Sequence, residues 1–290
     1  MQWVQILVLG LLLGGVYAMM ASGLTLLFGV MRVVNLAHAA FILLASYLTY
    51  ALYENLALDP MLSLVVTMPL MFGLGVALYL LLFPRLEDSP RYVEMTVLLT
   101  FGLALIVVGG LTFVFTGIFR SVRPEYATTS LRFGEIFVPT SQLYASLLSF
   151  ALLISLWLVL QFTKTGTAIR ATMQNRAAAQ IVGVNVRRVS ALAFGIGMAL
   201  AGAAGSLLSF MFPFFPARHW QWIALLLALI VLGGMGSIKG AVIGALLLAV
   251  ASAAVTTLIG PTWSPITFYL TLFLILLIRP QGLFGTKVRL

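Results

Sequence analysis

MQWVQILVLGLLLGGVYAMMASGLTLLFGVM, residues 1–31, holds no charged side chain. An apolar run of about 20 residues lets an α-helix cross the hydrocarbon core of a bilayer with every backbone group paired inside the helix. The stretch exceeds that length and predicts a membrane span. A secretory signal would carry a basic leading region and a shorter apolar core, so the run reads as retained. Outward from Arg32, further charge-free stretches lie at 33–53, 60–84, 95–119, 136–163, 189–217, 219–238 and 240–278. The last is too long for one crossing, and Gly260, Pro261 and Pro265 supply a turn inside it. The expected fold is therefore all-α: a polytopic membrane helix bundle of about 8–9 transmembrane helices, with 219–258 read as two crossings or as one re-entrant element.

Composition agrees. Of 290 residues, 62% are hydrophobic and 8% charged, whereas soluble domains carry roughly a quarter charged residues. Residues 1–290 read as a single transmembrane domain. The net charge of +9 would suit nucleic acid on a soluble protein, but in a membrane protein the distribution of Lys and Arg among loops is more telling. Counting loops alternately, one set holds Arg32, Arg85, Arg91, Lys164, Arg170, Arg176, Arg187, Arg188, Lys239, Arg279, Lys287 and Arg289, twelve of the sixteen basic residues. The other holds Arg120, Arg123, Arg132 and Arg218. The positive-inside rule makes the first set cytoplasmic, with the N-terminus outside and the C-terminus inside for nine spans. Aromatic residues near span ends, such as Trp3, Tyr47, Tyr50, Tyr53, Trp220 and Trp222, read as interfacial anchors.

Several functions are excluded by what the chain lacks. With 0 cysteines and 2 distant histidines, His38 and His219, neither a disulfide nor a thiolate or histidine-rich metal centre is expected. Every acid (Glu54, Asp59, Glu87, Asp88, Glu94, Glu125, Glu135) sits between spans or at their edges, which argues against a proton relay inside the membrane. No GxxxxGK[ST] loop occurs, so the chain is not expected to hydrolyse ATP, and no serine, histidine and carboxylate set forms a triad. It reads as a protein that is not an enzyme and needs no cofactor of its own.

Three interruptions of the apolar pattern stand out. Between spans lies Lys164 to Arg188, too long and too patterned for a tight turn. Thr167 can cap a helix over 168–182, the Ala-rich interior favours it, and Gly183 suits a left-handed end. Ile169, Met173, Ala177 and Ile181 then form one apolar stripe, with Ala178 and Val182 beside it. Such a helix either lies on the lipid surface with Arg170 and Arg176 among headgroups or fits a groove on a partner. The second interruption, Asn35 to His38, is a break between two spans. Its polar side chains are either transport-path residues or hydrogen-bond partners of the helix ends. In the third, Gly233 and Gly234 mark a possible break, and Gly236, Gly240 and Gly244 offer a small face for close helix packing.

GLTLLFG (23–29) with NLAH (35–38), the stretch 166–186, LGGMGSIKGAVIG (232–244) and RPQGLFG (279–285) occur in this order. Together they resemble the branched-chain amino acid ABC transporter permease subunits of the LivH family. The resemblance covers nearly the whole chain. It implies that segment 164–188 is a cytoplasmic coupling helix docking on an ATPase. Gly166, Ala168, Ile169, Arg170, Ala171, Gln174, Asn175, Ala178, Ala179 and Gly183 match the family's docking loop. The chain departs from relatives at Ala177, where an acid is frequent, and at Ala39, where glycine commonly follows the histidine. Asn35, His38, Gly233, Gly234 and Gly236 are the candidate translocation-path or helix-break residues. The resemblance further implies an importer of branched-chain or other hydrophobic amino acids in a bacterial inner membrane. Its assembly would comprise ABC ATPase subunits that bind ATP and Mg, a second related permease subunit and a periplasmic substrate-binding protein, within membrane lipid. Relatives of the same architecture that carry urea or short amides, and a stand-alone facilitator, are the alternatives.

Overall fold

The computed structural model describes residues 2–87 and 89–285. Lys287 and Arg289, counted above in the basic set, and the acid Asp88 lie outside the described residues. The helices are α1 (Gln2–Met31), α2 (His38–Leu56), α3 (Leu64–Leu82), α4 (Tyr92–Phe115), α5 (Thr140–Phe162), α6 (Lys164–Gln174), α7 (Arg176–Ile181), α8 (Val186–Met211), α9 (His219–Gly233), α10 (Ile238–Leu258) and α11 (Ser264–Ile278). Before α5, strands β1 (Ser130–Phe133) and β2 (Ile136–Pro139) form an antiparallel hairpin. This hairpin is the one departure from an all-α fold among the described residues.

Among the described residues, eight helices, counted with their flanking 3-10 turns, are long and apolar enough to cross a membrane: α1, α3, α4, α5, α8, α9, α10 and α11. The remaining long helix, α2, has 19 residues, about 28 Å at 1.5 Å per residue, enough for a ninth crossing. It is more polar because it is shielded from lipid: Ser46, Tyr47 and Thr49 are all buried. Tyr47 stacks on Phe115, with ring centroids 4.5 Å apart, so it is an interior residue and not the interfacial anchor its position near a span end suggested.

Burial sorts the helices into an inner and an outer shell. The second half of α1, most of α2 and nearly all of α8 are buried, whereas α4 and α11 show apolar side chains such as Phe113 (90% exposed) and Ile278 (76% exposed). An apolar outer surface is stable only in lipid or against another subunit.

The inner shell is pinned by hydroxyls. Ser206 Oγ on α8 lies 2.8 Å from Thr49 Oγ1 on α2 and 2.9 Å from Thr67 Oγ1 on α3, and Ser46 Oγ donates to the Gly205 carbonyl (2.9 Å). Close approach at Gly205 makes this possible, since a Cβ there would run into the Ile42 backbone.

The contacts at the two ends of the bundle fix the parity of the spans. At one end, the backbones of Arg120 and Phe214 form a reciprocal hydrogen-bonded pair (2.8 Å each way), and the Gln5 side-chain amide exchanges two hydrogen bonds with the backbone of Phe137. The N-terminus, the hairpin and the α8–α9 loop therefore share one face. In the same loop region Tyr126 donates to Asp59 Oδ1 (3.1 Å). Its burial, reinforced by the Asp59 charge, pushes the phenol well above its ordinary range, so it stays protonated as the donor.

At the other end, Arg32 donates to the Met173 carbonyl (3.3 Å), and Leu283 N–H donates to the Leu232 carbonyl (2.8 Å). The chain after α11 therefore ends on the face opposite Gln5, which requires an odd number of crossings. Parity alone does not separate two crossings from one re-entrant element in α9 and α10, but depth does: Gly236, between them, abuts Gly29 near the inner end of α1. α10 also runs the full depth, because Gly10 and Gly14 near the outer end of α1 pack on Val250 and Leu246. The face with Arg32, α6 and α7 carries the Lys and Arg excess and is the cytoplasmic one by the positive-inside rule.

Candidate functional site

Segment 164–188 is two helices where the sequence predicts one. Thr163, and not Thr167, caps α6: its hydroxyl accepts from Gly166 N–H (3.0 Å). At Asn175 the backbone becomes extended, and the Asn175 side chain accepts from Ala178 N–H (3.0 Å), which starts α7 afresh. Asparagine does this because its short carbonyl competes for the amides that a continuous helix would use. α7 stops where the sequence predicts: Gly183 has φ +87°, and Val184 N–H closes on the Ala179 carbonyl (2.9 Å).

The break splits the apolar stripe. Ile169 is fully buried and Met173 half-buried beneath the end of α1, whereas Ala177 is exposed, Ile181 is 86% exposed and Val182 is 77% exposed. The ten docking-loop positions divide the same way. Gly166, Ile169 and Ala179 are buried and hold the segment to the bundle, Gly166 so closely that a Cβ would meet the Val159 and Leu160 backbones. Ala168, Arg170 and Ala171 are half-buried at the edge. Arg170 donates back to Gln161 Oε1 (2.7 Å) and so braces α6 against α5. Gln174, Asn175, Ala178 and Gly183 face outward. Beside them Ala178, Ile181 and Val182 leave a small exposed apolar surface.

Two tethers to the spans have no local signal in the sequence. Arg176 pairs with Glu87 Oε1 (3.0 Å), and the same oxygen accepts from the Tyr79 hydroxyl at the end of α3 (3.0 Å). These residues lie 89 positions apart; the only hint was charge at both places. Such a half-exposed pair is worth about 0–1 kcal/mol, so it registers α7 against the α3–α4 loop without adding much stability.

The glycine break joins the same face. α9 ends at Gly233, Gly234 has φ +99° and Gly236 φ +86°, and α10 starts at Ile238. Gly240 and Gly244 pack on the Gly233 backbone, so close helix packing and a chain break coexist. The RPQGLFG stretch folds back onto this turn, where Phe284 N–H donates to the Gly233 carbonyl (3.2 Å). A Cβ at Gly234 would run into Gly285. Gly236 in turn abuts Gly29 of α1, which packs on Met173. Motifs far apart in the chain thus meet beneath α6.

Asn35 and His38 lie apart from that cluster, buried in the interior. Asn35 Oδ1 accepts from Ala37 N–H (3.0 Å) and stabilises the start of α2, while Thr100 of α4 accepts from Leu36 N–H (3.2 Å). The His38 ring packs at Gly23, and neither ring nitrogen has a hydrogen-bond partner among the described residues. No group of metal-ligating side chains occurs among the described residues.

A helical bundle that crosses the membrane repeatedly, with one amphipathic segment held outside it, is the architecture of a multi-pass membrane protein. The chain belongs to the family described as the branched-chain amino acid transport system / permease component, whose family model matches residues 6–278. A probable branched-chain amino acid transport permease protein LivH of Methanocaldococcus jannaschii is 28% identical, over 92% of this chain and 88% of its own. The high-affinity branched-chain amino acid transport system permease protein BraD of Pseudomonas aeruginosa is 26% identical over 98% of this chain and 96% of its own. LivH of Escherichia coli, named likewise, is 25% identical over 95% and 93%. No solved structure matches the chain. The family is one of transport permeases and not of enzymes.

Proposed function

We propose that this chain is the permease subunit of an ATP-driven importer that moves branched-chain or other hydrophobic amino acids across a bacterial inner membrane by alternating access. The whole chain would act as one transmembrane domain, with ATP and Mg held by separate ATPase subunits and substrate delivered by a periplasmic binding protein. A second, related permease subunit would complete the path. The observation that carries this reading is the surface of α7. Ile181 and Val182 are 86% and 77% exposed on the face rich in Lys and Arg, and burying them on a partner gains about 25 cal/mol per Å² of apolar area. Arg176 bonded to Glu87, and Met173 under Arg32 and Gly29, give a push on α7 a direct route to the ends of α1 and α3. Uncharged spans suit aliphatic side chains, which supports branched-chain amino acids over urea or short amides.

In the alternative reading, a stand-alone facilitator, Ile181 and Val182 would dip into lipid. The test is purification and uptake. The importer reading expects the tagged chain to co-purify with an ATPase and leucine uptake to stop when ATP is depleted with the ion gradient held. Uptake that persists without ATP, in a chain that brings down no ATPase, rejects it.

A further inference from the structure

At the outer end of the bundle, α1, α9, α10 and α11 enclose a cleft of about 400 Å³, inside the roughly 300–1,000 Å³ range of small-molecule sites. It runs alongside α1 from Leu9 to Met20, about three helical turns and some 16 Å into the membrane. One wall is apolar, formed by Leu9, Leu13, Leu225 and Phe268; the rest carries polar side chains, among them Tyr17, the mutually bonded Ser252 and Ser264, Arg218 and Gln142.

Arg218 and Gln142 each hold one buried atom without a partner among the described residues. No carboxylate among the described residues pairs with Arg218, and its Nε is buried without a hydrogen-bond partner among them. The Gln142 Oε1 is likewise buried and unpartnered among the described residues. A cation and a lone acceptor beside a greasy wall are costly unless a ligand completes them. Arg218 also directly precedes α9, whose first-turn amides add positive potential at the same place.

We infer that this cleft is an entry site for the transported amino acid. Its carboxylate pairs with Arg218, its ammonium donates to Gln142 Oε1, and its aliphatic side chain lies against Leu9, Leu13, Leu225 and Phe268. A zwitterion supplies the one partner that each polar group lacks, which an anion or an amine alone does not. The inference rests on the importer reading and adds where the substrate enters this subunit.

The experiment uses the intact complex, reconstituted in proteoliposomes with saturating binding protein, and compares initial uptake of leucine and valine. In complexes that co-purify intact, Arg218→Gln lowers leucine uptake by about tenfold or more, and Arg218→Lys, which keeps the charge, restores part of it. Leu225→Trp, which fills the apolar wall and leaves the polar groups alone, shifts selectivity from leucine toward valine by about threefold or more. Wild-type leucine uptake in an intact Arg218→Gln complex overturns the proposal, and so does equal loss of leucine and valine in Leu225→Trp. Loss of a bound anionic phospholipid from Arg218→Gln by native mass spectrometry, with uptake unchanged, also overturns it and makes the cleft a lipid site. Failure of the wild-type complex to take up either amino acid rejects the importer reading itself, independently of the variants.

Discussion

Ser206 shows how single polar atoms hold helices together where there is no water to compete. Its hydroxyl bridges Thr49 and Thr67, so Ser206→Ala leaves the buried Thr67 hydroxyl without its partner and Thr49 with the Ala45 carbonyl alone. Thermal unfolding of the purified complex should show a loss of about 1–2 kcal/mol, whereas Ser155→Ala on an exposed face should change nothing measurable. Gly234 is stricter. With φ +99° and Gly285 against its α-carbon, Gly234→Ala carries both backbone strain and a clash, and should cost about 2 kcal/mol or more. Proteolysis after Arg279 in membrane vesicles would report it, because the returning tail loses its seat; protection equal to wild type would contradict that role. The left-handed end at Gly183 and the break at Gly233 and Gly234 were legible in the sequence, since only glycine fits such places easily. Asn35 and His38 were legible as special but not as to role. Whether a buried side chain meets a backbone amide, as Asn35 does, depends on neighbours that the linear order does not reveal.

The two-helix segment 164–188 was the element least legible in the sequence. A run with helical spacing over 168–182 gives no warning that Asn175 will spend its side chain on capping α7, and with that break the apolar stripe divides between bundle and solvent. Asn175→Ala should fuse α6 and α7 by removing the cap, which costs about 1 kcal/mol, and should rotate Ile181 and Val182 out of place. The measurement is the ratio of leucine transported to ATP hydrolysed, expected to fall at least several-fold while the subunits stay assembled. Ala178 and Ala179 now separate: Ala179 is buried against the bundle and Ala178 is exposed. Ala178→Trp should therefore uncouple hydrolysis from uptake with insertion intact, and wild-type coupling would show that this face meets nothing. Glu87→Gln removes only a half-exposed pair, so stability should change by no more than about 1 kcal/mol.

Across the whole molecule, apolar stretches and the Lys and Arg asymmetry foretold the crossings because the bilayer imposes length and charge rules on every span separately. Those rules say little about which spans are inside. α2 and α8 are buried while α4 and α11 face outward, a sorting that depends on small residues and hydroxyls meeting across the bundle. The hairpin and the outer cleft were likewise illegible, being assembled from loops and span ends far apart in the chain. The account makes the exposed end of α7 the surface through which an ATPase drives these spans. Because the chain has 0 cysteines, Ile181→Cys gives a single reporter thiol at that surface. In inside-out vesicles carrying the whole transporter, a short bifunctional thiol-to-amine reagent should join this residue to the ATPase subunit, and saturating ATP should change the yield. Labelling of position 181 by a lipid-soluble reagent, with no cross-link to the ATPase in either nucleotide state, would contradict the account.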